Sequence, residues 1–423
     1  MRTVLGSVGT LLLSAAILLA GGGLLATLVA VRADGEGFPL EAIGLLTSGY
    51  YAGFMAGCLA TPFLVKRVGH VRVFAALSAL TAAAVLFHVI AINVPVWFVL
   101  RILTGFAFAG LYMLIESWIN EQTPNEQRGQ VLSIYRMVDL GAVTAGQFML
   151  TLADPQGFVL FSVVAICVCL AIFPISLSTS KAPMAVTTTS LNIKKLLKTV
   201  PLAGVGCFAV GLANGSFWAL APVFVRQLGH PVVVISLFMS IAIATGALLQ
   251  WPVGFLSDKF GRRKLIIAMS ALAAGAGYFL WHYSPQSVML MLVGGALYGG
   301  FGMQLYGLSA AHANDHAEPH EFVSISGGLL LIYGIGSIIG PSLAPFVMSA
   351  FEPSAMFAFT GVVHAMLMLY ALYRRVQHDG PEKPKRFVSM PRPRSMMAIL
   401  RADPRVKRPK KPKKTKGAEL DNL

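Results

Sequence analysis

The sequence predicts an all-α membrane protein of twelve transmembrane helices in two six-helix halves, and three observations carry that expectation. The chain has 423 residues, of which 56% are hydrophobic and only 12% charged, whereas soluble domains carry about 25% charged residues. Its apolar runs reach the roughly 20 residues a helix needs to cross hydrocarbon. They are rich in Ala, Gly, Leu and Val and lack the alternation of a barrel strand, so the membrane solution is helical. Finally, the charged turn Gly254-Phe255-Leu256-Ser257-Asp258-Lys259-Phe260-Gly261-Arg262-Arg263-Lys264 has a degraded copy 192 positions earlier, Pro62-Phe63-Leu64-Val65-Lys66-Arg67-Val68-Gly69-His70-Val71-Arg72.

Taken in order, the apolar runs place spans at 8–31, 42–65, 73–92, 96–119, 131–151 and 158–177, then at 201–225, 233–256, 265–283, 288–311, 322–349 and 354–373. The first follows Arg2 as a secretory signal would, but it exceeds the roughly 7–15 residues of a signal's apolar region and is read as an uncleaved span. Residues 1–177 then form an N-terminal half and 201–373 a C-terminal half, with a Thr, Ser and Lys-bearing linker over 178–200 and a basic tail over 374–423. Cys58, Cys167, Cys169 and Cys207 all fall inside spans, without metal-ligand spacing beyond the close Cys167 and Cys169 pair, and are expected to be small buried fillers.

Loop charge sets the orientation, because Lys and Arg in short loops stay cytoplasmic. The even-numbered connections carry Lys66, Arg67 and Arg72, then Arg128, then Lys194, Lys195 and Lys198, then Lys259, Arg262, Arg263 and Lys264. The tenth connection, around His312 to Glu321, is the exception and has neither Lys nor Arg. The odd connections hold mainly Arg32 and Arg226 against Asp34, Glu36, Asp154 and Glu352. Both termini are therefore expected in the cytoplasm of a cell whose (inner) membrane the chain crosses many times. Sixteen of the 33 basic residues fall after Tyr373, where Pro alternates with Lys and Arg, so the formal net charge of +15 is largely that of the tail. Such a segment is expected to be disordered and to meet anionic lipid headgroups. Nucleic acid is not an expected partner, and the chain is expected to be a monomer.

The duplication extends beyond one turn. Val31-Arg32-Ala33-Asp34-Gly35 recurs as Val225-Arg226-Gln227-Leu228-Gly229, and Asn120-Glu121 recurs as Asn314-Asp315, both 194 positions on. Each of the latter pairs is followed by a Pro and, two residues later, a Glu: Pro124 and Glu126, then Pro319 and Glu321. Six spans return a chain to its starting side, so these shifts imply a parallel repeat, an arrangement that places a substrate site between the repeats near the bilayer midplane.

On these residues the chain resembles the major facilitator superfamily over all but its tail. Gly254, Asp258, Lys259, Gly261, Arg262 and Arg263 match the family's loop motif G-x-x-x-D-[RK]-x-G-[RK]-[RK], and Arg101, Gly105 and Ala109 are similar to its fourth-span motif R-x-x-x-G-x-x-x-A. Glu116-Ser117-Trp118-Ile119-Asn120 with Arg128-Gly129, and His312-Ala313-Asn314-Asp315, resemble the uncharacterised YcaD-like subgroup. The resemblance implies that the loop at Gly254 to Arg263 takes part in gating. Two departures limit the transfer. Lys66 stands where the family usually has Asp, so that carboxylate's role does not carry over. The fifth span, Gly141-Ala142-Val143-Thr144-Ala145-Gly146-Gln147, lacks the G-x-x-x-G-P-x-x-G-G element of drug antiporters.

Ionisable groups inside a bilayer are costly and are functional candidates by default. At about 100° per residue, Arg101, Gly105, Phe108, Tyr112 and Glu116 share one stripe of the fourth span. Arg101 is expected either to serve substrate or coupling, or to snorkel to the outer interface beside Trp97 and Phe98. Glu116 is expected either to serve coupling or to pair with a loop cation. Arg136 and Asp139, one turn apart on the fifth span, suit a network at the cytoplasmic gate. Asn214 and Trp218 on the seventh span and Gln304 on the tenth are candidates for recognition, with helix packing as the alternative. His88, His282 and His364 are expected to be interfacial or structural. The sequence shows no phosphate-binding loop ending in Lys-Ser/Thr, no nucleophile elbow and no paired metal ligands, so no catalytic residue, metal or cofactor is expected. The expectation is a secondary transporter, symporter or antiporter, moving a small molecule by alternating access. Proton coupling through Glu116 and Asp139 is an open alternative to facilitated diffusion. The competing class is a transport-inactive sensor or scaffold that docks through its tail.

Overall fold

The structure is a computed structural model that describes residues 2–123, 127–176, 196–197, 199–316 and 322–377. The tail, most of the linker, and Pro124, Glu126, Pro319 and Glu321 lie outside the described residues.

Among the described residues the chain is all-helical, without strands. The helices are α1 (Arg2–Gly35), α2 (Leu40–Val68), α3 (His70–Ile90), α4 (Val94–Gln122), α5 (Arg128–Met149) and α6 (Val159–Ser176). After the linker come α7 (Pro201–Gln227), α8 (Val232–Phe260), α9 (Arg262–Tyr283), α10 (Val288–Gly302), α11 (Leu305–Asp315), α12 (Phe322–Ala350) and α13 (Ala355–Gln377). Ten of these stretches are long and apolar enough to cross a membrane, with Val288–Asp315 counted as one across the α10–α11 junction, and Val159–Ile175 is a shorter apolar helix. These helices make the chain a multi-pass membrane protein. α5 falls outside that group because Arg136, Asp139 and Gln147 interrupt its apolar run. The tenth run is one membrane-length stretch, Val288–Asp315, whose helix is interrupted at Met303–Gln304 while both residues keep right-handed dihedrals (φ of −70° and −76°), just after Gly299, Gly300 and Gly302, residues that hold helix weakly.

Local chemistry fixes the starts and stops. Asn93 caps α4 by accepting from the Val96 amide at 3.0 Å, with Pro95 in the first turn. Ser287 does the same for α10 through the Met289 amide at 3.2 Å. Gly69 and Gly261 separate α2 from α3 and α8 from α9 with φ of +88° and +93°, a region that only glycine enters without strain.

In lipid, helices associate by close packing more than by the hydrophobic effect, so small residues mark the contacts. α4 lies against α2 where a Cβ on Gly105 would overlap the Tyr50 carbonyl, and α10 lies against α8 where one on Gly299 would overlap the Ala242 carbonyl. Before the linker, α1 packs on α4, α5 and α6, α2 on α4, and α3 on α4 and α6. After it, α7 packs on α11, α12 and α13, α8 on α10, and α9 on α10 and α13. Between the two sets, α2 meets α12, α5 meets α8, and α1 meets α7. α7 is the most enclosed, with 83% of its apolar window buried against 44% for α8 and for α9, so it forms one wall of the interior.

Polar contacts between the two sets gather at the end of the bundle that carries the odd-numbered connections. Arg226 pairs with Asp34 at 2.9 Å, Gln227 donates to the same carboxylate at 3.0 Å, and Ser349 donates to Glu41 at 2.7 Å. Deeper in, Ser48 donates to the Ile338 carbonyl at 2.6 Å and Ser236 to the Gln147 carbonyl at 2.7 Å.

Candidate functional site

A cavity of about 150 Å³ lies between the helices before the linker and those after it. α1, α2, α4 and α5 line one side, and α7, α8, the α10–α11 junction and α12 the other. Of the sequence candidates, Arg101, Tyr112, Asn214, Trp218 and Gln304 all face it.

Each reaches the cavity for a local reason. Arg101 is about two turns into α4 and only 4% exposed. Its guanidinium does not snorkel outward: it sits 4.4 Å over the ring of Tyr50, a cation–π contact that offsets part of the cost of taking the charge from water. Its Nε and Nη1 are buried without a hydrogen-bond partner, and no carboxylate among the described residues approaches within ion-pair distance. Tyr112, three turns on, packs its ring 5.6 Å from Phe108 on the same stripe. Gln304 occupies the break between α10 and α11 and donates to the Gly246 carbonyl of α8 at 2.6 Å, pinning the junction to the cavity wall. Asn214 is buried with its Oδ1 unmatched, one turn of α7 from Trp218.

Two residues expected at the gate also line the cavity. Arg136 lines the cavity, because it sits two turns inside α5; its Nη1 donates to Asp139 at 2.9 Å and its Nη2 to Gln250 across the interface at 3.5 Å. Gly254 also lines the cavity, one turn before Asp258. The acids are set apart from it. Glu116 is buried near the other end of α4 and accepts from the Tyr135 hydroxyl at 3.1 Å, and Asp139 is engaged by Arg136, so neither contributes to the cavity wall.

The hairpin between α8 and α9 forms its own cluster. Arg262 is 1% exposed and holds Asp258 at 2.6 Å and Asp315, at the end of α11, at 3.1 Å. It also donates to the Ser257 hydroxyl. Lys259 points outward, with its Nζ 5.4 Å from the Phe260 ring; Gly261 supplies the turn, and Arg263 follows it half-buried. The histidines sit apart from the cavity: His88 is bonded to the Ala84 carbonyl beneath Trp97, His364 faces Tyr298, and His282 stacks on Tyr278.

The structure adds Tyr50, Tyr51, Gln147, Gln250, Tyr306 and Tyr333 to the cavity. Gln147 is fixed by the Thr27 hydroxyl, which donates to it at 2.7 Å, and by its own donation to the Gly23 carbonyl at 3.0 Å; Tyr306 and Tyr333 meet edge to face at 5.2 Å. The glutamines carry a legible signal, each being a lone amide in an apolar span. The tyrosines do not, since a tyrosine in a span serves equally as an interfacial anchor.

Membrane-length helices around a cavity lined by aromatic, amide and arginine side chains have the form of a membrane transporter. The family model described as Major Facilitator Superfamily matches residues 11–251 and 203–412, so the chain belongs to that family. It is 26% identical over 375 residues to the uncharacterized MFS-type transporter YcaD of Salmonella arizonae, covering 88% of this chain and 96% of the relative. The same identity and coverage hold for YcaD of Salmonella heidelberg. Among solved structures, the nucleoside transporter NupG superposes with a TM-score of 0.75 at 13% identity, over 86% of this chain and 98% of its own. A bacterial homologue of the human lysosomal transporter Spinster, in an inward-facing and occupied conformation, gives 0.73 at 15% identity, over 88% and 96%. At these identities the superpositions speak to the fold alone.

Proposed function

We propose that the protein is a secondary carrier in which two six-helix halves, residues 1–177 and 201–373, rock about the central cavity and expose it alternately to the two sides of the membrane. α5 and α6 complete the set of twelve spans, with α10 and α11 serving as one. The observation that carries this reading is the repeated packing. Each contact among α1 to α6 has its counterpart among α7 to α13, and the interface contacts α2 with α12 and α5 with α8 exchange under the same correspondence. The Gly105–Tyr50 approach likewise repeats at Gly299–Ala242. A cavity built equally by two equivalent halves is what rocking requires.

With the basic connections in the cytoplasm of a bacterial cell, the polar contacts at Asp34, Glu41, Arg226 and Ser349 close the outer end, and this conformation faces inward, as does the occupied Spinster homologue. The Asp258–Arg262–Asp315 cluster then braces the inner end of the C-terminal half, and its release accompanies closure on that side. Glu116 and Asp139 are the acids available for proton coupling, each of which would exchange its present partner for a proton. The chain works as a monomer, and its basic tail lies against anionic lipid.

The test is uptake into proteoliposomes containing the protein, incubated with a small-molecule extract, with the internal solutes analysed by mass spectrometry. A carrier accumulates at least one solute above protein-free liposomes, and an imposed pH gradient changes that accumulation if protons are coupled. Identical contents with and without protein would contradict the proposal.

A further inference from the structure

We propose that the cavity takes a small organic acid, with its anionic group on Arg101 and its apolar body among the aromatic rings. This inference rests on the carrier reading and narrows it to a substrate class.

The argument is one of unmatched groups. Among the described residues the cavity wall holds two cations, Arg101 and Arg136, and no carboxylate. Arg136 is answered by Asp139 at 2.9 Å. Among the described residues Arg101 meets no group of opposite charge: its guanidinium lies over the Tyr50 ring, and its Nε and Nη1 are buried without a hydrogen-bond partner. A buried guanidinium left in this state is strongly unfavourable inside a membrane protein unless another group completes it. Arg101 lines the cavity, and a guanidinium presents its N–H donors in a planar fork that receives a carboxylate along one edge. Asn214 on α7 lines the same cavity, and its buried Oδ1 has no donor among the described residues, so its amide is a second polar group on the wall that a ligand N–H or hydroxyl would satisfy.

Tyr50, Tyr51, Tyr112, Trp218, Tyr306 and Tyr333 bring aromatic surface to the wall, a lining suited to a flat apolar or aromatic body. At about 150 Å³, the space is below the roughly 300–1,000 Å³ of pockets for drug-sized ligands, so the acid is small. A cationic ligand would meet Arg101 directly with no acid in the wall to receive it.

The test uses three probes that share a ring and differ in charge: indole-3-acetate, indole-3-acetamide and tryptamine, each measured by the thermal unfolding of purified protein in lipid nanodiscs. A parallel set is benzoate, benzamide and benzylamine. The wild-type protein is expected to be stabilised by the acids, with the amides binding about tenfold to a hundredfold more weakly and the amines not at all. Arg101→Gln is expected to bring acid and amide to the same affinity, whereas Arg101→Lys keeps the preference for the acid with weaker binding. The wild-type ranking stands even if a variant fails to fold. Equal or better binding of an amine or amide, an acid preference that survives in Arg101→Gln, or no stabilisation by either acid would each overturn the assignment. Counterflow of the same probes separates this from the parent reading: a transported amine leaves a carrier without an anion site, and an acid that binds through Arg101 but never crosses leaves an anion site without a carrier.

Discussion

The hairpins joining α2 to α3 and α8 to α9 align at a shift of 192 residues and differ in what they carry. Both retain the glycine, with nearly the same φ of +88° and +93°, so the backbone turn survives in each. The electrostatics survives in one. Arg262 gathers Asp258, Asp315 and Ser257 into a buried cluster, whereas the equivalent positions before the linker are an exposed Lys66 and a His70 that packs 5.7 Å from the ring of Trp118. The turn is a geometric requirement of both halves; the ion cluster is a specialised brace of the C-terminal half. That asymmetry has a physical basis, because a buried arginine must be paired, and a lysine in place of the first carboxylate adds a like charge where a partner would stand.

The largest expected effect breaks the brace. Arg262→Ala strands a mostly buried Asp315 and is expected to cost about 3 kcal/mol, the low end for a broken buried pair because Asp258 is partly exposed. Thermal unfolding of the purified protein checks it. Next come the turns themselves: Gly69→Ala and Gly261→Ala should each cost about 1–3 kcal/mol through backbone strain, and by similar amounts. A marked inequality in unfolding temperature would show that the two turns are not equivalent after all. Smaller still, His70→Ala should lose only about 0.5–1.5 kcal/mol, the worth of an aromatic contact. The smallest effect is the sharpest. Combining Lys66→Asp with His70→Arg rebuilds the brace in the N-terminal half beside Glu121, and a double-mutant cycle should show favourable coupling of at least about 0.5 kcal/mol. Additive singles would mean that the surrounding α4 terminus cannot host the cluster.

Most of the helical framework was legible because it follows from apolar length alone, and the ends of the spans differ from the helices by the few polar residues at each interface. The break at Met303–Gln304 was not, since glycines in a membrane helix signal close packing as readily as a stop, and only the Gln304 bond to the Gly246 carbonyl reveals which holds here. Arg101, Asn214, Trp218 and Gln304 stood out as polar or amphipathic groups in apolar runs and do face the cavity. Arg136 and Asp139 were legible as a pair one turn apart and do pair, but that Arg136 also lines the cavity follows only from how α5 meets α8. Glu116 shares a stripe with Arg101, but the stripe runs the length of α4 and its far end is covered by Tyr135. The tyrosines of α2 and α12 could not be told from interfacial anchors without knowing which helices meet.

The account's central claim, that two equivalent halves rock about the cavity, is tested most directly by distances measured at both ends at once. In a background lacking Cys58, Cys167, Cys169 and Cys207, spin labels at Ile92 and Met289 report the end where Asp34 meets Arg226, and labels at Val68 and Phe260 report the opposite end. Double electron–electron resonance in lipid nanodiscs, with and without added acid, should show two populations related reciprocally, the first pair separating as the second pair closes. A single fixed distance at each end, or changes at one end without the other, would contradict it.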